Sequence, residues 1–250
     1  MIRRRFLPLA AVLLAAWTQP APAAGLLLLT EENPPFNYTE NGKLVGASTE
    51  IVARIASRAA IPVQTEVLPW DTAYLRAQAE RNTCLYSTAR EENRERLFLW
   101  VGPLAANQWA LYATSAFAVP IRTLKDLAPY RIGVVARDAK ADFLRENAVT
   151  NLRFVRDDRD NPPRLLLPAD NPDHIDLWIA GVHSAREIAR ATNVTDLKQV
   201  FIAAERPLYL ACNPQTDRAT VKALSDALDA LRADGTVARI NAGYAAKFAR

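Results

Sequence analysis

Charged side chains crowd the stretch "AREENRERLF", where Arg90, Arg94 and Arg96 are interleaved with Glu91, Glu92 and Glu95. A planar guanidinium can grip a carboxylate through charge-assisted hydrogen bonds, each worth on the order of 2 kcal/mol. The same residues also fit a solvated face held by surface pairs of roughly half a kcal/mol, which is the reading favoured for Arg90 and Arg96. A second run, "TEENPPFNY", places Glu31 and Phe36 on either side of Pro34 and Pro35, which restrict the turn without needing amide donors. Nucleophilic chemistry has less support, because His174 and His183 are the only histidines and "GVHSARE" around Ser184 lacks the Gly-x-Ser-x-Gly elbow. Cys84 and Cys212 are the only cysteines, with no Cys-x-x-Cys and no Cys/His ligand spacing, so neither a metal nor another cofactor is expected.

The elements that must position these groups alternate strand and helix. The first residues stand apart: Arg3, Arg4 and Arg5, an apolar run from Phe6 to about Trp17, then Ala21-Pro22-Ala23, read together as a secretory signal peptide over residues 1–23. Its three arginines account for most of the net charge of +4, so the mature chain carries about +1 and a nucleic-acid partner is not expected. An exported chain would meet an oxidising compartment, in which the two cysteines can pair.

In the mature chain, "LLLLT" at 26–30 reads as a buried strand, and Ile51, Val52, Ile55, Ala56 and Ala59 line one face of a helix over 48–60 with Ser48 as N-cap. "VQTEVL" at 63–68 and "TCLYST" at 83–88 read as strands around the helix "DTAYLRAQAER". This βαβαβ order implies a mostly parallel sheet covered on both faces. A second α/β unit follows with strands at 131–135, 152–155 and 175–180 and helices at 139–147 and 184–192. The chain then ends in one or two strands and two helices, too little for a third domain. Their expected use is a return to the first unit.

"TEENPPFNYTENGKLVGASTEIVARIA", "LYSTAREENRERLFLWVGPL", "RIGVV", "HIDLWIA" and "ALRADGTVARI" resemble, in this order, the signatures of the bacterial extracellular solute-binding proteins of family 3. The resemblance covers about residues 25–248. It implies a type II periplasmic-binding-protein fold: two α/β lobes, each a mostly parallel sheet flanked by helices, joined by two hinge strands and closing over a ligand. The expected division is lobe 1 at 24–115 with 205–250, and lobe 2 at 116–204. The same topology would run the strand ending at Cys212 antiparallel beside the one starting at Cys84, making a Cys84–Cys212 disulfide a candidate.

The resemblance assigns Arg94 to the ligand carboxylate, and Ser87 to a strand end that offers the ligand a hydroxyl. Phe36 and Trp70 follow strands at the same end, with ligand stacking and core packing both open; Arg137, Asp138 and Trp178 are second-lobe candidates. The sequence also departs from an amino-acid binder. Asp176 is followed five residues later by Gly181 instead of a second acid, and "ARDAK" replaces a Gly-Ser or Gly-Thr pair, leaving Glu31 or Asp138 to hold an ammonium. The implied function is a monomeric periplasmic receptor, without chemistry of its own, that delivers a small polar solute to the permease of an inner-membrane ABC transporter. Two alternatives stand beside it: an enzyme on the same scaffold, dehydratase-like or transglycosylase-like with Glu31 as acid or base, and a soluble ligand-sensing module.

Overall fold

The run of leucines is covered on both faces. The computed structural model describes residues 25–248, so the expected leader lies outside the described residues. Strand β1 (Leu26–Thr30) leads into a hairpin of β2 (Tyr38–Glu40) and β3 (Lys43–Val45), then α1 (Ala47–Arg58), β4 (Val63–Val67), α2 (Trp70–Ala79) and β5 (Thr83–Ala89). β1 lies between β4 and β5, parallel to both. Leu26 and Leu28 pack on Ile51 and Ile55 of α1, while Leu29 packs on Trp70, Ala73 and Ala77 of α2. Alternation in β1 therefore serves two helical layers, and an apolar side chain is needed on each.

A 3-10 turn over Glu92–Leu97 leads to β6 (Leu99–Ala105), and β7 (Gln108–Ala113) carries the chain across to a second sheet. That lobe adds β8 (Ile132–Val135), α3 (Ala139–Glu146), β9 (Leu152–Val155), α4 (Asn161–Arg164), β10 (Leu177–Gly181), α5 (Ser184–Ala191) and β11 (Lys198–Glu205). The chain returns through β12 (Leu208–Cys212) and finishes with α6 (Arg218–Ala233) and α7 (Thr236–Phe248). The sheets run β4-β1-β5-β12-β6 and β11-β7-β10-β8-β9, parallel in β4-β1-β5 and β10-β8-β9 and antiparallel where the crossing strands pair. The two crossings lie side by side, with Arg206 N donating to Asn107 O at 2.7 Å. Residues 108–113 pair in the second sheet, whereas the sequence division keeps them with lobe 1.

β12 runs antiparallel to β5 with Cys212 opposite Cys84, and a disulfide joins them in the core beside Tyr86, Leu210 and Leu228. Helix α1 departs from its expected cap. Gly46, at φ 127°, precedes the helix, and Ser48 is buried in the first turn. The amides of Ala47, Ser48 and Thr49 donate to the carbonyls of Pro35 and Phe36, so main chain replaces the side-chain cap. A Cβ on Gly46 would lie 2.3 Å from the Phe36 carbonyl oxygen, which explains why glycine stands there.

Candidate functional site

Loops leaving the carboxyl ends of β1, β4, β5 and β8 converge between the lobes, where open α/β sheets place their crevices. Glu31, Trp70, Ser87, Arg94, Asp138 and Lys140 line an inner cavity there, together with Asn107 and Trp109. Its volume is ≈ 20 Å³, room for about one water molecule. The lobes are thus closed on each other. A wider space of ≈ 170 Å³ shares Glu31 and Trp70 with the inner cavity, and one of ≈ 440 Å³ lies beyond Glu32, Asp157 and Arg159.

Arg94, in the turn after β5, is 2 % exposed. Its Nη2 donates to the Arg137 carbonyl at 3.0 Å and lies 3.5 Å from Asp142, and its guanidinium sits over Trp70 and Tyr74. Its Nε and Nη1 have no partner. Two unpaired charged donors on a buried guanidinium are costly unless something negative meets them. Trp70 Nε1 donates to the same Arg137 carbonyl at 3.0 Å. Arg137, in the left-handed region at φ 59°, therefore meets the first lobe with its main chain, while its residue surface is largely exposed.

Glu31 is held by the loop around it: Asn37 Nδ2 donates to the Glu31 carbonyl at 2.6 Å, and Ser87 Oγ donates to Asn37 Oδ1. Burial, joined by the charge of Asp138 and opposed by Lys140, pushes the Glu31 carboxyl up to about 8. Asp138 caps α3 by accepting from Lys140 N at 2.7 Å and binds Lys140 Nζ at 2.8 Å. Burial acts against both charges of this pair, but their mutual attraction outweighs it, so Asp138 titrates below and Lys140 above its ordinary value.

Not every sequence candidate reaches this cavity. Phe36 is 4 % exposed and packs on Ala105 and Leu208 beneath the crossings, so of its two readings the packing one describes its place. Trp178 is buried in the second lobe against Tyr112, where its Nε1 donates to Asp158 Oδ1 at 2.8 Å. Lys140, Asn107 and Asp158 were not singled out from sequence. Lys140 did carry a signal: a lysine in the first turn of a helix opposes the helix dipole, so another partner must hold it there. Among the described residues, no group of three or more His, Cys, Asp or Glu is placed to hold a metal ion.

Two α/β lobes, a double crossing and a crevice between strand ends define a type II periplasmic-binding-protein fold. The sequence pattern of the bacterial extracellular solute-binding proteins, family 3, matches residues 26–247, and the chain belongs to that family. Among similar solved structures is a histidine kinase sensor domain with similarity to periplasmic binding proteins, at TM-score 0.79 and 19% identity over 89% of this chain and 96% of that one. An ancestral arginine-binding protein bound to arginine has TM-score 0.75 and 18% identity, covering 89% and 99%. The arginine-, lysine-, histidine-binding protein ArtJ from Geobacillus stearothermophilus has TM-score 0.74 and 14% identity, covering 88% and 95%. No curated protein sequence matches the chain.

Proposed function

We propose that this protein captures a small carboxylate between its lobes in the periplasm and hands it to the permease of an ABC transporter, without chemistry of its own. The observation that carries this reading is Arg94, buried at the cavity wall with Nε and Nη1 unpartnered. A carboxylate is the planar anion that satisfies both donors at once. Trp70, Ser87, Glu31 and Asp138 line the same wall from both lobes, and the two crossings give the lobes a hinge.

The test is a thermal-shift screen over amino acids, amines, organic acids and aromatic acids, since a ligand specific for the folded state raises the midpoint with the logarithm of its excess over Kd. Hits should be carboxylates, and Arg94→Ala should abolish their shift. A shift that survives this substitution contradicts the proposed clamp. The histidine kinase sensor relative supports a second reading, a sensing module whose closed form is read by another protein. The raised Glu31 pKa is the one feature that favours an enzyme, and turnover of a stabilising ligand would establish that alternative.

A further inference from the structure

The cavity already contains an ammonium group of its own. Lys140 Nζ lies 2.8 Å from Asp138 Oδ2 and 5.8 Å from the centroid of the Trp109 ring, with the Lys140 and Asp138 side chains 13% and 11% exposed. It stands in the field of Asp138, Asp158 and Glu31, of which Asp138 and Glu31 line the cavity an incoming ammonium would enter. Each has an answer without a ligand. Asp138 binds Lys140; Asp158 accepts from Trp178 Nε1 at 2.8 Å and from Asn161 Nδ2 at 2.9 Å; Glu31 keeps its proton up to about pH 8.

The end of β10 offers no further anion. Gly181 has no side chain, and a Cβ there would lie 2.7 Å from Ser184 Oγ and 3.1 Å from Asn107 Oδ1. The buried cavity-wall groups left without a hydrogen-bond partner are Arg94 Nε and Nη1 and the neutral Asn107 Oδ1. A carboxylate with a neutral hydrogen donor, such as a hydroxyl on the adjacent carbon, satisfies both sets. Arg94 and Lys140 line one cavity of ≈ 20 Å³, so an ammonium beside the carboxylate would share it with Lys140, and like charges brought together at a desolvated contact discriminate strongly.

We propose that Lys140 is a specificity-determining residue that fills the ammonium place in this cleft and so selects hydroxy acids and simple carboxylic acids over α-amino acids. This rests on the reading that Arg94 binds the ligand carboxylate. Its test compares dissociation constants for matched probes on the full chain: lactate and propionate against alanine, phenyllactate and phenylpropionate against phenylalanine. Wild type should bind the hydroxy or deamino probe at least ~10-fold more tightly than its amino acid. Lys140→Met, which leaves Asp138 free for a ligand ammonium, should move that ratio toward the amino acid by ~10-fold or more, and Lys140→Arg should retain the wild-type order.

The wild-type ratio needs no variant to fold, and a preference for amino acids there overturns the proposal. So does a ratio unchanged in a folded Lys140→Met protein. If amino acids are preferred while Arg94→Ala still abolishes binding, the role of Lys140 fails alone. If binding ignores Arg94→Ala, the carboxylate reading fails with it.

Discussion

Arg94 divides its donors between two tasks. Nη2 ties the lobes through the Arg137 carbonyl, while Nε and Nη1 of this cavity-lining residue stay buried and unpaired. Glu31, across the same cavity, supplies a pH dependence whose sign is fixed. Its folded carboxyl holds a proton to about pH 8 against an ordinary value of 4.5, so between those values the folded state binds more protons than the unfolded chain. Stability from this group therefore falls as pH rises through that window and levels off beyond it. Thermal melts from about pH 5 to pH 8 should show wild type losing midpoint relative to Glu31→Gln, and parallel curves would contradict the assignment. Glu31, Trp70 and Asp138 follow strands at their carboxyl ends, Ser87 lies near the end of β5 and Arg94 in the turn after it, places that strand patterning and the family resemblance together make visible in sequence. Lys140 and Asn107 were harder to see, since their placement depends on packing between lobes that are distant in sequence. Arg137 met the first lobe through its carbonyl, a group that residue type does not predict.

At the level of elements, the opening loop is held by its neighbours more than by its own residues. The first amides of α1 bind the carbonyls of Pro35 and Phe36, Asn37 ties Glu31 to Ser87, and the Phe36 ring packs beneath the crossings. Phe36→Ala should cost about 3–5 kcal/mol in denaturant unfolding through the cavity it leaves. An unchanged midpoint would show that the ring does not contribute to the core. The Cys84–Cys212 bond fastens the returning strand to β5 across 128 residues of sequence. Replacing both cysteines with alanine should lower stability by about 2–5 kcal/mol, and reducing agent in the unfolded state should have the same effect on refolded wild type. The strands at 26–30, 63–68, 83–88, 131–135 and 152–155 and the helices around them were legible from apolar periodicity to within a few residues, whereas β6 and the short α4 were not. The Gly46 cap was not, because its donors are answered by main chain from another segment.

As a whole molecule, the closed arrangement leaves ≈ 20 Å³ at the inner site, far below the roughly 300–1,000 Å³ of ordinary ligand pockets. On the proposed reading, a ligand enters an opened form and is enclosed as the lobes close about the crossings. Trp70→Phe removes one of the two donors to the Arg137 carbonyl and should favour the open form. X-ray scattering should then give a larger radius of gyration for the unliganded variant than for unliganded wild type, and equal radii would show that this bond does not hold the lobes together. The return of the chain to the first lobe was legible from the leftover strand and helices; the degree of closure was not, because it depends on contacts between lobes that no local pattern encodes.

The central claim is that Arg94 binds the carboxylate of the ligand. Isothermal titration of wild type and Arg94→Ala with the best carboxylate from the screen and with its primary amide tests it most directly. The amide should bind wild type roughly 10- to 100-fold more weakly than the acid, and Arg94→Ala should erase most of that difference. A ratio that is the same in both proteins would contradict the account.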